Sequence, residues 1–511
     1  MCNRLHKSIH LFFNNVMYRS FNYFQKKTIT NIYRMNPYLI IAIGTLVVLV
    51  CIIKFKLHSV ISLLLAALVT SVLTSADLIY KYAIYKGLST EEAVALSTSS
   101  IGTRLADAFG NTSGKIGILI ALGSIIGTAL MKSGGAERIV RSFLGLFGKK
   151  NASLALMSGS FLLAIPVFFQ TVFYLMLPLI KSLGIHNPKK YSLYLMTVIA
   201  GGVMAHSLVP PAAGPLFVAQ ALGIDTGTMI VGGFIVGIFT SLCGYIYAIW
   251  ANKKWDLPMR DTADVSIDEL KALSEKETKD LPGLWISILP VVLPLFLITA
   301  NTFSDISSDF TSNSSNEFQN YWKSIFSIIG DPNIALAISA AIAVILLWTR
   351  VNDSKLFQKH IAESISSAGV IILITTAGGV FGKMLEQTGI GISLGNLASS
   401  YQVAVLPLAF LITAAIRTVQ GSAMVAMVTA AGIMSGVIGS DLGFHPVYVA
   451  LAIGCGSKIF TWMNDSAFWI VTEMCAMEEK ETIRHFSFLS MVMGFSGLIA
   501  LMILSTFLPL I

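Results

Sequence analysis

The chain has 511 residues, of which 55% are hydrophobic and only 12% are charged. A soluble globular domain carries about twice that charged fraction. The composition therefore excludes a series of soluble domains and predicts a membrane protein with many spans. The formal charge of +8 is spread over short segments between apolar runs. That distribution fits loops beside an anionic membrane leaflet better than a nucleic-acid surface, so no nucleic-acid partner is expected.

The first 34 residues are basic and contain no apolar span. They also lack the apolar core and small-residue cleavage site of a signal peptide. Two interpretations stay open: translation starts at Met35, or residues 1–34 form a non-membrane N-terminal extension. In both cases we expect residues 1–34 to contribute nothing to the function of the membrane-spanning part.

Apolar runs that each approach the length of a transmembrane helix recur along the rest of the chain. They lie near 37–53, 58–76, 116–131, 152–165, 190–209, 228–250, 284–300, 333–349, 366–382, 402–416, 445–462 and 486–510. Further apolar stretches near 166–183, 211–222, 418–437 and 466–477 are interrupted by proline, glycine or polar residues. Because polar backbone at membrane depth must be buried or line a cavity, we predict re-entrant hairpins or discontinuous helices there.

An internal repeat relates the two halves of the chain. The segment "IGTALMKSGGAERI" at 126–139 resembles "FGKMLEQTGIGISL" at 381–394. Nearly the same offset pairs Phe168 with Gln420 and His206 with Thr461. Because these matches occur in register, the sequence predicts a duplicated architecture.

The charges of the loops predict that the two repeats have opposite orientations, since cytoplasmic loops are rich in Lys and Arg. The basic loops at 54–56 and 132–150 are expected to face the cytoplasm. In the second half, the acidic loop 301–332 is expected outside and the basic loop 350–366 inside. Equivalent spans of the two halves would then run in opposite directions.

The expected fold class is therefore an all-α polytopic membrane protein with about 12 spans. It comprises two inverted repeats, at 35–251 and 284–511, with re-entrant hairpins and discontinuous transmembrane helices. The charged segment 252–283 is expected to be a cytoplasmic linker between them.

Ionisable residues at membrane depth are costly, so each is a candidate functional group. His206 precedes a helix break at Pro210 and Pro211. The freed carbonyls and the following helix N-terminus suit ions and anions. The repeat places Asn464 and Asp465 at the symmetric position, where a plain helix cap is the alternative interpretation.

Arg417 ends an apolar run directly before the polar segment 420–422. Its planar guanidinium can bind a carboxylate through two hydrogen bonds, whereas an arginine that only reaches for the membrane surface is the alternative. The equivalent stretch of the first half offers Gln170 and Thr171 as neutral hydrogen-bonding groups. The predicted substrate-binding residues are Gln170, Thr171, His206, Pro210, Pro211, Gly214, Arg417, Gln420, Gly421, Ser422, Asn464 and Asp465.

Five motifs occur in a characteristic order: "SGGAERI", "PVFFQTVFYLMLPL", "HSLVPPAAGP", "RTVQGSAMVA" and "NDSAFW". Together they make the chain resemble the bacterial gluconate permease (gluconate:proton symporter) family over roughly Met35 to Ile511. The resemblance implies an ion-transporter-superfamily fold of two inverted repeats. It also implies a multi-pass protein of the bacterial inner membrane that imports gluconate-like acids, usually with protons.

The sequence departs from the family's usual pattern at three places. Gln170 stands where an acidic residue is common, Ala212-Ala213 where His-Pro is common, and Trp462 where a His is frequent. Each change removes a polar or titratable group. The substrate and the coupling stoichiometry therefore stay open.

The favoured function is a secondary active carrier that imports gluconate or a related sugar acid or hydroxy-carboxylate by proton symport. Asp465, followed by His206, is the candidate group for the coupling proton. A carrier of another small organic anion or a D-amino acid, with a different coupling ion, is the alternative. A channel would not need inverted halves with paired helix breaks.

An enzyme is disfavoured because the sequence contains no HExxH motif and no clustered His/Cys ligands, and its five cysteines form no CxxC pair. No cofactor or metal is expected. The expected partners are a small organic anion, a coupling ion and the lipid bilayer. The oligomeric state stays open, with a homo-oligomer as one option.

Overall fold

The computed structural model describes residues 35–260, 281–310, 324–351, 353–389, 404–435, 442–463 and 465–510. The N-terminal segment 1–34 and most of the linker at 252–283 lie outside these ranges. The expectations about both segments therefore stay predictions. The candidate site residue Asn464 also lies outside the described residues.

Regular structure in the described ranges is entirely helical. The helices of the first half are α1 (Pro37–Ile53), α2 (Ser59–Leu73), α3 (Ala76–Tyr85), α4 (Thr90–Thr98), α5 (Ile101–Lys132), α6 (Gly135–Phe147), α7 (Ala152–Leu163), α8 (Phe169–His186), α9 (Tyr191–Leu208), α10 (Ala213–Ala221) and α11 (Thr226–Lys254). Those of the second half are α12 (Leu284–Phe310), α13 (Pro332–Arg350), α14 (Ser354–Glu386), α15 (Val405–Gln420), α16 (Ala423–Met434), α17 (Val447–Gly456), α18 (Ser466–Met474), α19 (Glu479–Thr482) and α20 (Phe488–Phe507).

Among the described residues, seven helical segments are long and apolar enough to cross a membrane. They are Ile101–Lys132, Pro188–Ala221, Thr226–Lys254, Leu284–Ser304, Pro332–Arg350, Ser354–Glu386 and Glu479–Phe507. Helices α2 and α3 form an eighth candidate, which is bent by 99°. The expected all-α polytopic membrane protein is confirmed, whereas the number of about 12 spans stays a prediction.

The order of helices is similar in the two halves. A long helix, α5 of 32 residues or α14 of 33, is followed in each half, two or three residues after its end, by a glycine with left-handed backbone, Gly134 (φ 80°) or Gly389 (φ 75°). Glycine adopts this conformation without the steric cost that other residues incur. In both halves a helical hairpin, a broken helix and a long final helix follow.

Glycines allow the central helices to approach closely. Where α14 crosses α16, a Cβ on Gly432 would lie 2.6 Å from the Cα of Gly382. A Cβ on Gly201 of α9 would lie 2.2 Å from the carbonyl oxygen of Met157 in α7. Small residues at such crossings let helices pack by backbone contact. The broken helix α9–α10 consequently lies in the interior, with 94% of its most apolar stretch buried.

Candidate anion-binding site

Four helices begin beside one cavity: α8 at Phe169, α10 at Ala213, α16 at Ala423 and α18 at Ser466. Residues in the first turn of each line this cavity, whose volume is about 370 Å³. A helix N-terminus presents free N–H groups and about half a positive charge. Their convergence makes the cavity suitable for an anion.

The helices begin there because local chemistry interrupts the chain. Pro210 and Pro211 cannot donate backbone hydrogen bonds, so α9 ends at Leu208. Gly421 has left-handed backbone (φ 87°) and ends α15, and its amide donates to the carbonyl oxygen of Arg417 at 2.9 Å. Both breaks were predicted from the sequence.

The four N-termini differ in how they are capped. In α16, Ser422 accepts a hydrogen bond from the amide of Val425 at 3.4 Å. In α18, Asp465 accepts one from the amide of Ala467 at 2.8 Å. The cap positions of α8 and α10, Phe168 and Ala212, make no side-chain cap. First-turn amides of α8 and α10 are therefore available to a ligand.

Arg417 is only 2% exposed and lies against the break between α17 and α18. Its Nε donates to the carbonyl oxygen of Ser457 at 2.9 Å. One terminal nitrogen, Nη2, donates to the carboxylate of Asp465 and, at 3.4 Å, to the hydroxyl of Thr461. The other, Nη1, is buried without a hydrogen-bond partner among the described residues. Arg417 thus lies inside the protein with one donor uncommitted, which does not fit a side chain that only reaches for the membrane surface.

Neutral polar groups complete the lining. The side-chain oxygen of Gln420 is buried and has no partner in the described chain, so it can accept a hydrogen bond from a hydroxyl. Gln170 and Ser422 also line the cavity. The ring of His206 contacts the carbonyl oxygen of Ala164 through Nδ1 at 3.2 Å.

The structure brings most of the predicted residues together. Those that line the cavity are Gln170, His206, Gly214, Arg417, Gln420, Gly421, Ser422 and Asp465. Three predicted residues do not line it. Thr171 is exposed one position further along α8, and Pro210 and Pro211 are buried in the break itself. The first turn of α10, directly after these prolines, lines the cavity in their place. The free backbone amides belong to that first turn and not to the break.

Lys458 lines the cavity but was not singled out from the sequence. It is buried, with 8% of its surface exposed, in the break between α17 and α18. The signal was present, because Lys458 is an ionisable residue inside the apolar run 445–462, and such residues are functional candidates.

Comparison with known proteins identifies the family. The pattern described as "GntP family permease" matches residues 36–507, which is most of the chain. The chain belongs to the GntP permease family. The gluconate permease of Pseudomonas aeruginosa is 31% identical over 475 residues, covering 93% of this chain and 98% of that one. The high-affinity gluconate transporter of Escherichia coli is 28% identical, covering 91% and 98%.

Solved structures give the same fold class. The YdaH transporter of Alcanivorax borkumensis superimposes with a TM-score of 0.55 at 14% identity, covering 81% of this chain and 91% of that one.

The family assignment confirms the resemblance inferred from the five motifs. The chain is a multi-pass permease of the bacterial inner membrane and not an enzyme.

Proposed function

We propose that this permease is a secondary active carrier that imports gluconate, or a closely related sugar acid, by proton symport. The convergence of four helix N-termini on a cavity containing Arg417 is the observation that carries the proposal. A sugar acid has one carboxylate and several hydroxyls. The cavity offers positive potential for the first and neutral hydrogen-bonding groups for the others. The relatives named for gluconate make it the first substrate to test.

The predicted residues take distinct roles in this proposal. The free Nη1 of Arg417 donates to the substrate carboxylate, and the buried oxygen of Gln420 accepts from a hydroxyl. Gln170 and Ser422 contact further hydroxyls. Gly214, one residue into α10, lines the cavity beside the free amides of that helix.

The ion pair between Arg417 and Asp465 supports coupling to protons. A substrate carboxylate competes with Asp465 for the guanidinium. In this proposal Asp465, once it has lost that partner, is an uncompensated buried charge and takes up the coupling proton. Substrate and proton then favour each other's binding, and this linkage is reciprocal. His206, which lines the same cavity, is the second candidate for the proton.

We further propose two inverted repeats, at 35–251 and 284–511, with about 12 membrane crossings and a cytoplasmic linker at 252–283. The similar helix order and the paired glycine turns support the duplication. Arg260, at the start of the linker, pairs with Glu481 at 2.6 Å and 2.9 Å. Because the two residues are in contact, the proposal assigns Glu481 to the same side of the membrane as the start of the linker.

Transport by purified protein in proteoliposomes tests the proposal. We expect saturable counterflow of labelled gluconate, and accumulation when an inward proton gradient is imposed. A sodium gradient of the same size should give no accumulation. Empty liposomes are the control. Flux that does not saturate would indicate a channel, and counterflow only with other anions would reassign the substrate.

A further inference from the structure

Lys458 is buried and lines the cavity. Within the described part of the chain, its ammonium forms no ion pair or side-chain hydrogen bond. A buried charge is expensive unless it is paired. A permease that keeps an unpaired lysine in its central cavity therefore has a use for it, and the natural one is to bind an anion that enters the cavity.

The charges around Lys458 show how many anionic groups the cavity can neutralise. The charged side chains among its described lining residues are Arg417, Lys458 and Asp465. Arg417 and Asp465 pair directly, so their charges compensate. His206, on α9, lines the same cavity as Lys458. In its ammonium form, Lys458 thus leaves one uncompensated positive charge, to which the converging helix N-termini add potential of the same sign.

We propose that Lys458 is the main counter-charge for the substrate carboxylate and makes the site selective for singly charged acids. The inference rests on the proposed transport of a sugar acid. Arg417 has committed Nε and Nη2 within the protein, whereas Lys458 retains all of its donors. One carboxylate therefore neutralises the single uncompensated charge of the cavity. As long as Asp465 is ionised and paired with Arg417, a neutral analogue leaves Lys458 unpaired, and a dicarboxylate brings a second charge that has no partner.

Equilibrium binding to purified, detergent-solubilised protein tests this directly, because it does not depend on the coupling ion. The probes are gluconate, its neutral carboxamide (gluconamide) and its dicarboxylate (glucarate), measured by titration calorimetry. We expect the wild type to bind gluconate at least about tenfold more tightly than either analogue, since a hydrogen-bonded charge pair accounts for such a ratio.

Lys458→Met keeps the length and apolar stem of the side chain but removes the charge. We expect it to weaken gluconate binding by roughly 10- to 100-fold while gluconamide binding changes little. Lys458→Arg keeps the charge and should stay within about tenfold of the wild type. Lys115→Met is the matched control, because Lys115 is an exposed lysine that lines a separate cavity.

The decisive measurement is the ratio of the affinities for gluconate and gluconamide, rather than the affinity for gluconate alone. If Lys458→Met weakens both ligands equally, the lysine has only a structural role and the proposal is wrong. Unchanged gluconate affinity in Lys458→Met would also overturn it. If the methionine variant does not fold, Lys458→Gln replaces it. A folded wild type without preference for gluconate over gluconamide excludes the proposal by itself. A wild type that binds none of the probes would instead contradict the proposed function.

Discussion

At the residue scale, the ion pair of Arg417 and Asp465 organises the site. Arg417 comes from the hairpin α15–α16 and Asp465 from the broken helix α17–α18, yet each is buried, and the pair holds the α17–α18 break against α15. Removing one partner of a buried pair leaves an uncompensated charge, at a cost of about 3–5 kcal/mol. Substitutions that keep the charge or the shape are therefore more informative than truncations.

Arg417→Lys keeps the charge but loses the planar fork, including the Nη1 donor that we assign to the substrate. We expect the apparent affinity for gluconate to fall roughly tenfold or more, since a lost hydrogen bond to a charged group costs about 1.5–3 kcal/mol. The concentration dependence of counterflow measures this apparent affinity. Arg141→Lys is the control, because Arg141 pairs with Glu137 outside the cavity. Wild-type affinity in both Arg417→Lys and Arg417→Ala would show that the residue only holds the α17–α18 break.

Asp465→Asn mimics the protonated carboxyl and still caps α18, since Asn caps helices about as well as Asp. We expect this variant to lose proton-driven accumulation and to keep part of its substrate exchange. Accumulation and exchange are measured side by side in proteoliposomes. Undiminished uphill transport would show that the proton is carried elsewhere, and the same experiment on His206→Gln would follow.

At the element scale, the site depends on where four short or broken helices begin. Helix α16 starts at the cavity and packs along α14 and α10. Its position is set by the backbone contact between Gly382 and Gly432. A side chain at this contact would push α16, with its N-terminus, away from the cavity.

Gly382→Ala tests that dependence. The new Cβ would lie 2.7 Å from the Cα of Gly432, a backbone atom that cannot move alone. We expect a loss of about 1–3 kcal/mol in stability together with reduced transport, because overpacking separates the helices. Gly369→Ala, on the same helix with no atom within 4 Å of the new Cβ, is the matched control. It should be neutral or slightly stabilising, as Ala favours helix over Gly. Equal melting temperatures for the two variants would contradict this account.

At the scale of the whole molecule, the two halves meet at the cavity, which takes residues from α8 to α10 and from α15 to α18. Alternating access in inverted-repeat carriers moves one part against another around a fixed central site. The opposite orientation that we propose for the two halves is therefore the feature of the whole chain that most needs a test.

Cysteine labelling of matched positions tests this orientation. Lys150 and Ala404 are exposed residues just before α7 and α15, the first helices of the two hairpins. With a membrane-impermeant maleimide, we expect Ala404→Cys to react in intact cells and Lys150→Cys to react only after permeabilisation. The parent protein, with its native cysteines, gives the background. Labelling of both positions from the same side would exclude inverted repeats.

Much of this protein was predictable from local sequence. Apolar runs of bilayer length predict helices wherever they occur, because the membrane leaves backbone groups no other partners. Prolines and glycines act on their own backbone, so the breaks at Pro210 and Gly421 could be located before any contact was known. The five motifs identified the family for the same reason, since each is a short contiguous segment.

The composition of the site was decided by the tertiary structure. Nothing in the spacing of Arg417 and Asp465 requires an ion pair, which forms only because α15 packs against α17. Lys458 stands out in its apolar run as an ionisable residue, but only the fold shows that it is buried in the same cavity as the pair. A charge acts through distance in space and through the solvent around it, and both depend on contacts between distant segments. The sequence therefore predicted where helices break, and the packing decided which broken ends and which charges share one cavity.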